Sequence, residues 1–321
     1  MCLDNNEAGP VVFIAGPTAC GKTATAVRLA ELIGGEVVSA DSMQIYRHMD
    51  IGTAKPTPEE TRGIPHHLIS ELDPDEPFSA AVFKQMAERR VAEILSRGAA
   101  PIIAGGTGFY INALLYGTEF PDTFADHEFR KELRDYAAEY GNAALHERLR
   151  AVDPEAAAAI HENNVKRVIR AIEFFEQTGI KISRHNEAEK KKAPAYKHLF
   201  IVLSKEREKL YKGIDARVDA MITAGLVGEV RALASMGYGP ELVSMNGLGY
   251  KEIHRYISGE WTLETAVDEI KKGTRRFAKR QLTWFKNIEN AVWLDADEYP
   301  PDSAAEYIRE LLIKKHDRII C

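Results

Sequence analysis

Apolar residues along this chain fall into short unbroken runs separated by segments with helical spacing. Val11-Val12-Phe13-Ile14-Ala15 is one such run, the pattern of a parallel strand buried on both faces. A glycine-rich turn follows, then helical spacing from Ala24 to Leu32. Glu36-Val37-Val38-Ser39-Ala40 predicts a second strand closed by Asp41, and His67-Leu68-Ile69-Ser70 a short third one. Ser79 caps a helix that runs to about Ser96, where Ser-Arg-Gly stops it. Pro101-Ile102-Ile103-Ala104 is again strand-like and ends in Gly105-Gly106-Thr107-Gly108. This alternation predicts an α/β fold, a doubly wound parallel sheet with helices on both faces.

After about Gly117 the pattern changes. From Asp126 to Thr178 the chain is almost wholly helical in spacing. Lys181 to Lys197, with Lys190-Lys191-Lys192, is polar and basic and reads as a mobile hinge or loop. Strand character resumes at His198-Leu199-Phe200-Ile201-Val202-Leu203, and a late strand is expected at Ala291-Val292-Trp293-Leu294. We therefore expect an α/β core formed by residues 9–119 and 196–321, interrupted by an all-helical insertion at 120–195.

Composition narrows the classes. Over 321 residues, 45% apolar and 28% charged content exclude a disordered chain. The three cysteines (Cys2, Cys20 and Cys321) include no C-x-x-C pair, which argues against structural zinc and a disulfide framework and suits a reducing cytoplasm. The segment Met1 to Glu7 does not read as a signal peptide, and no 18-residue apolar run exists to span a membrane. Net charge is −6, which taken alone argues against a nucleic-acid partner. Yet Lys271, Lys272, Arg275, Arg276, Lys279, Arg280 and Lys286 form a positive run without an acid. Such a run is either a solvated helix face or an RNA contact. Its alternation with Phe277, Trp284 and Phe285 favours RNA, with the aromatic rings themselves more in keeping with core than with base stacking. Lys190 to Lys192 admit both readings equally.

Gly16-Pro17-Thr18-Ala19-Cys20-Gly21-Lys22-Thr23 fits G-x-x-x-x-G-K-[ST], with a strand before it and a helix after it. Glycines let successive backbone N–H groups converge on phosphate oxygens, and the following helix points its positive end at the same anion. Lys22 supplies a cation, and Thr23 a hydroxyl for Mg²⁺. The loop accommodates a diphosphate as readily as a triphosphate, and ATP would compete for the same place. Cys20 is either a tolerated small residue or a thiol acidified by the helix end. Asp41 and Thr107 follow strands whose carboxyl ends should share one crevice with the loop. Asp41 there is a cap, a group near Mg²⁺ or a general base; Thr107 offers its hydroxyl to a phosphate or only to a turn. His66-His67 lack a third ligand at metal spacing and read as ordinary histidines.

The string Asp41-Ser42-Met43-Gln44-Ile45-Tyr46-Arg47-His48-Met49-Asp50-Ile51-Gly52-Thr53-Ala54-Lys55-Pro56 resembles the bacterial tRNA dimethylallyltransferase family, also called tRNA isopentenyltransferases. The likeness continues in Gly16 to Thr23, in Gly105-Gly106-Thr107-Gly108-Phe109-Tyr110, and in Asn164-Val165-Lys166-Arg167-Val168-Ile169-Arg170-Ala171. It recurs in Gly247-Leu248-Gly249-Tyr250-Lys251-Glu252 and Lys279-Arg280-Gln281-Leu282-Thr283-Trp284-Phe285, so that the blocks keep family order along nearly the whole chain. The resemblance implies a P-loop core with an inserted helical domain that contacts tRNA. It implies transfer of a dimethylallyl group from dimethylallyl diphosphate to N6 of the adenosine 3′-adjacent to the anticodon, position 37, in tRNAs that read codons beginning with U.

By the same resemblance Asp41 is the general base, Ser42, Met43 and Gln44 hold the extruded base, and Thr107 contacts the diphosphate. Arg217 neutralises the leaving group, and Thr18 to Thr23 bind it with Mg²⁺ on Thr23. Arg130, Lys166 to Arg170, Asn246 to Lys251 and Lys279 to Lys286 match tRNA-contacting regions. Ser or Val often stands at the Cys20 position, and Gly247 replaces a larger residue. A C-terminal zinc finger, present in the eukaryotic branch, is not expected. The implied enzyme is a cytoplasmic monomer with the anticodon stem-loop as partner. The competing readings are a P-loop small-molecule or nucleoside kinase, whose lid Arg275 to Arg280 would imitate, and a P-loop RNA-binding protein without turnover.

Overall fold

The structure, a computed structural model, describes residues 9–121 and 126–320. Cys2, Cys321 and the Met1–Glu7 segment lie outside the described residues. The chain forms two compact units, one of residues up to Leu115 and from Tyr196 onward, the other Tyr116–Ala195.

The first unit begins with β1 (Val11–Ala15), α1 (Lys22–Ile33), β2 (Gly35–Ala40), α2 (Pro58–Thr61), β3 (His66–His67), α3 (Ala80–Ser96), β4 (Ala100–Gly105) and α4 (Gly108–Leu115). The second holds α5 (His127–Tyr140), α6 (Asn142–Val152), α7 (Pro154–Ala159), α8 (Val165–Thr178) and α9 (Ile182–Lys190). The first then resumes with β5 (His198–Ser204), α10 (Arg207–Thr223), α11 (Leu226–Ser235), α12 (Tyr250–Ile257), α13 (Leu263–Phe285), β6 (Val292–Asp295) and α14 (Pro301–Ile320).

All six strands run parallel in the order β3-β2-β4-β1-β5-β6. Period-two alternation divides the buried strands between two helix layers. Val12, Ile14, Ile102 and Ile201 face Ala26, Leu29 and Ala30 of α1 and Ala304, Ala305 and Ile308 of α14. On the other face Phe13 stacks on Phe200 with centroids 5.5 Å apart, and Phe200 meets Phe285 of α13 at 6.4 Å. The sheet is thus doubly wound.

Because β4 inserts between β1 and β2, three carboxyl ends lie side by side. Gly105 pairs with Ala15 on one side and Ala40 on the other, so the loops opening at Gly16, Asp41 and Gly106 start at one level of the sheet. Only glycine fits at 105, where a Cβ would lie under 3.0 Å from the Ala40 backbone.

Two expected segments differ. The third strand shrinks to His66–His67 because Leu68 and Ser70 take left-handed φ values of 60° and 53°, which end extended pairing. His66 Nδ1 meets Ile64 O at 2.8 Å and His67 Nε2 meets Glu36 at 2.7 Å, both ordinary partners. The basic segment expected as a loop forms α9. Asp153, fully buried, accepts Ala156 N at 3.0 Å to cap α7, and also takes the Ser183 amide at 2.9 Å and its hydroxyl at 2.7 Å at the start of α9. Lys191 pairs with Glu187 at 2.7 Å, and Lys192 with Glu189 at 2.8 Å and Glu119 at 3.1 Å. The cations of this run are therefore largely answered within their own unit.

The helical unit packs Leu133, Leu145, Leu149, Val168, Ile169, Ala171 and Ile172 into one core. Beside it the fully buried Glu173 accepts from Arg130 Nε at 2.7 Å, Arg130 Nη2 at 2.8 Å, Arg170 Nη1 at 2.8 Å and Asp126 N at 3.2 Å. Burial opposes ionisation of Glu173, but the hydrogen bonds from Arg130 and Arg170 outweigh it and hold the pKa below its ordinary 4.5. A carboxylate depressed on folding stabilises fully above the unfolded value and loses its contribution as pH falls through the folded one. Acid unfolding monitored by helicity should therefore show a pH dependence that Glu173→Gln lacks. At neutral pH the same variant should lose about 1–3 kcal/mol in urea unfolding.

Candidate active site and nucleic-acid surface

The loop from Gly16 to Thr23 joins β1 to α1 with the backbone bent for anion binding. Gly16 has φ 149° and a Cβ there would meet the Leu203 carbonyl, while Gly21 has φ 86° at the N-cap of α1. Ala19, at φ 63°, is held in a strained conformation (about 1–2 kcal/mol). Its neighbourhood is apolar, with Leu210 and Ile214 of α10 and Ala278 of α13 in one cluster. Cys20 is 1% exposed and its thiol donates to Pro17 O at 2.9 Å.

Lys22 donates to Pro17 O at 2.6 Å. Desolvation lowers its pKa, Arg217 lowers it further, and Cys20 and Asp41 oppose the shift. Arg217, on α10, is likewise lowered by desolvation against the pull of Glu60 and Asp41. Among the described residues Arg217 has no hydrogen-bond or ion-pair partner. Two poorly solvated cations thus repel each other beside the phosphate loop, an arrangement that an anion would relieve.

Asp41 Oδ1 accepts the Met43 amide at 2.8 Å and the Gln44 amide at 3.4 Å, an Asx-type turn. The capping alternative is therefore realised on one oxygen, and Oδ2 has no hydrogen-bond partner among the described residues. Thr107 Oγ1 accepts Ser42 N at 3.2 Å, tying the turn after β2 to the glycine loop after β4 and leaving its hydroxyl proton to donate. The Gln44 amide is committed: it donates to Thr53 O at 3.3 Å and Ala54 O at 3.2 Å and accepts from Ser39 Oγ at 3.0 Å. Met43 lies over Gly247, where a Cβ would collide with its methyl.

α13 closes against this loop. Gln281 donates to Gly106 O at 2.8 Å, and Trp284 lies where a Cβ on Gly108 would be, which explains both glycines by close approach. Trp284, 38% exposed, also meets Phe109 edge-on at 6.2 Å, so it is not the core residue expected.

The positive run on α13 divides into two groups. Arg275 donates to both oxygens of Asp215 at 2.7 Å, Lys271 pairs with Asp219 at 2.6 Å, and Lys272 with Glu269 at 2.8 Å. Arg276, Lys279, Arg280 and Lys286 are exposed and have no ion-pair partner among the described residues. On α8, Lys166 and Arg167 are exposed, whereas Arg170 and Arg130 are bound to Glu173. Several residues expected to face tRNA are core instead, because their helices turn them inward: Val168, Ile169, Tyr250, Gln281 and Phe285 are at most 6% exposed. Gly249 is buried at the start of α12, Gly247, Leu248 and Leu282 are half-buried, and Asn246, Lys251 and Thr283 are exposed.

The fold and site define a P-loop α/β protein with a carboxylate, one of its oxygens uncommitted among the described residues, at a nearby strand end. The IPP transferase family profile matches residues 44–288. The tRNA dimethylallyltransferase of Acetivibrio thermocellus is 53% identical over 292 residues, 91% of this chain and 93% of that protein. That of Lachnoclostridium phytofermentans is 52% identical over 92% of this chain and 94% of its own. The crystal structure of full-length tRNA isopentenylpyrophosphate transferase from Bacillus halodurans is 43% identical with a TM-score of 0.72, covering 97% of this chain and 99% of that one. A eukaryotic dimethylallyltransferase acting on tRNA is 28% identical with a TM-score of 0.78, over 94% of this chain and 78% of that one. The chain belongs to the tRNA dimethylallyltransferase family.

The seating of Trp284 on Gly108 has a measurable consequence. Gly108→Ala should destabilise by about 1–3 kcal/mol through overpacking. Gly108→Ala with Trp284→Ala should cost less than the sum of the two single variants in thermal unfolding, since the added methyl then enters vacated space.

Proposed function

We propose that the protein transfers the dimethylallyl group of dimethylallyl diphosphate to N6 of adenosine 37 in tRNAs reading codons that begin with U, with release of diphosphate. The observation that carries this reading is the meeting of two desolvated cations, Lys22 and Arg217, with a carboxylate whose second oxygen is uncommitted. A P-loop kinase could carry the same three groups; what favours prenyl transfer over phosphoryl transfer is the helical unit Tyr116–Ala195 and the match of residues 44–288 to the IPP transferase profile.

An exocyclic adenine amine is a weak nucleophile, its lone pair delocalised into the ring. Asp41 Oδ2 takes a proton from N6 as the C–N bond forms, while Oδ1 stays fixed by the Met43 and Gln44 amides. The C–O bond to diphosphate breaks, and negative charge collects on the departing oxygen. Loop N–H groups, Lys22, Arg217 and the Thr107 hydroxyl stabilise it. The Thr23 hydroxyl, half-buried at the first turn of α1, would be the protein's contact for a Mg²⁺; no group of three His, Cys, Asp or Glu among the described residues forms a dedicated cage. Bound there, Mg²⁺ would neutralise diphosphate charge.

Adenosine 37 must leave its stack, at about a few kcal/mol, to reach the carboxylate. Lys166, Arg167, Arg276, Lys279, Arg280 and Lys286 would offset this on the anticodon stem-loop phosphates, with Asn246 and Lys251 as further contacts. No helix among the described residues is long and apolar enough to cross a membrane, and we place the enzyme in the cytoplasm, acting as a monomer.

Incubation with Mg²⁺, dimethylallyl diphosphate and unmodified tRNA, followed by nucleoside mass spectrometry, should reveal an adenosine heavier by one dimethylallyl group, and Asp41→Ala should abolish it. Product from the variant would remove Asp41 as base; ATP consumption with a nucleoside and no product would establish the kinase instead. For RNA binding, replacing Arg276, Lys279 or Arg280 singly should lower the slope of log affinity against log salt by about 1. Lys271→Gln and Arg275→Gln should leave that slope in place, since their charges are already answered.

A further inference from the structure

Glu229, on α11, gathers four hydrogen bonds on one carboxylate. Oε2 accepts Asp50 N at 2.9 Å and Ile51 N at 2.7 Å, and Oε1 accepts Gly52 N at 3.0 Å and the Tyr250 hydroxyl at 2.6 Å. Three consecutive backbone donors converge on a side chain far away in sequence. Gly52 is required there, since a Cβ would lie under 3.0 Å from the Tyr250 ring. Burial and the Glu229 carboxylate push the Tyr250 phenol up, so it stays a donor.

The loop held this way leads back to Asp41. Its next two carbonyls, Thr53 O and Ala54 O, receive the Gln44 amide. The backbone N–H of Gln44, with that of Met43, fixes Asp41 Oδ1. Lys55 adds a second tie from the same loop, donating to Tyr46 O at 2.7 Å and Ser70 Oγ at 2.8 Å. The chain of contacts therefore runs from Glu229 through Asp50–Gly52 and Gln44 to the carboxylate, and it touches neither the phosphate loop nor Arg217.

We propose that Glu229 is a positioning residue for the transfer reaction, setting through this loop and Gln44 the aim of Asp41 at the RNA base. The proposal rests on the role given to Asp41 above. A displacement of the carboxylate on the order of 1 Å is enough to cost about 10²-fold in rate.

Glu229→Gln tests it with little change of volume. Whichever way the amide turns, its NH₂ faces at least one backbone donor that needs an acceptor: Asp50 N and Ile51 N in one orientation, Gly52 N in the other. In steady-state assays of tRNA prenylation we expect kcat/KM for tRNA to fall about 10²-fold, with KM for dimethylallyl diphosphate unchanged. Tyr250→Phe removes one of the four bonds and keeps the ring, and should shift the same parameter in the same direction by less. Should Glu229→Gln fail to fold, Tyr250→Phe and Gly52→Ala decide by the same split. Equal rises in KM for both substrates, or variants with wild-type kinetics, would overturn the proposal while the transferase reading stands. A wild-type protein that prenylates no RNA overturns both.

Discussion

Lys22 and Arg217 repel each other, and each has given up much of its hydration to stand beside the phosphate loop. Each is half-buried and each is opposed by the charge of Asp41, so the pair has a place for further negative charge. Three strand ends at one level of the sheet bring the loop, Asp41 and Thr107 together. α10 is fixed by Leu210 and Ile214 against Ala278, and Asp215 and Asp219 on the same helix meet Arg275 and Lys271 of α13. An anion brought to the loop would satisfy both cations at once, which is the part the proposed reaction gives to the diphosphate.

The charge pattern follows the same logic on the surface. A run of seven cations suggests a uniform positive stripe, but carboxylates brought up from α10 and from the preceding turn of α13 answer three of them. What remains is Arg276, Lys279 and Arg280 at helical spacing beside Trp284, with Lys286 just past the end of the helix. The inward positions of the same helix hold the Thr107 loop through Gln281. One helix thereby presents positive charge, unpaired among the described residues, outward and loop support inward, the two separated by residue position alone.

How much of this was legible in the sequence depended on the distance over which each feature is specified. β1, the loop and α1 are encoded within 23 residues, by an unbroken apolar run and a spaced glycine motif, and the sheet class followed from that alternation. Asp41 and Thr107 were legible as candidates because strands deliver them to a predictable edge. α9 was not, because its first turn is held by Asp153, 30 positions earlier, through Ser183. Glu229 gave no signal, since three of its four partners are backbone amides 177 to 179 residues away that carry no side-chain identity, and the fourth, the Tyr250 hydroxyl, does not reveal in sequence which acceptor it meets. Arg130 and Arg170 read as free cations because the acid that neutralises them, Glu173, looks in sequence like any glutamate on a helix.

Cys20 is the one cysteine among the described residues, a buried member of the phosphate loop with its thiol on the Pro17 carbonyl. A reagent in solvent can reach that sulfur only while the loop is lifted. The thiol would therefore serve as a clock: its rate of alkylation would report how often the loop opens, and a ligand that binds only the closed loop would slow it.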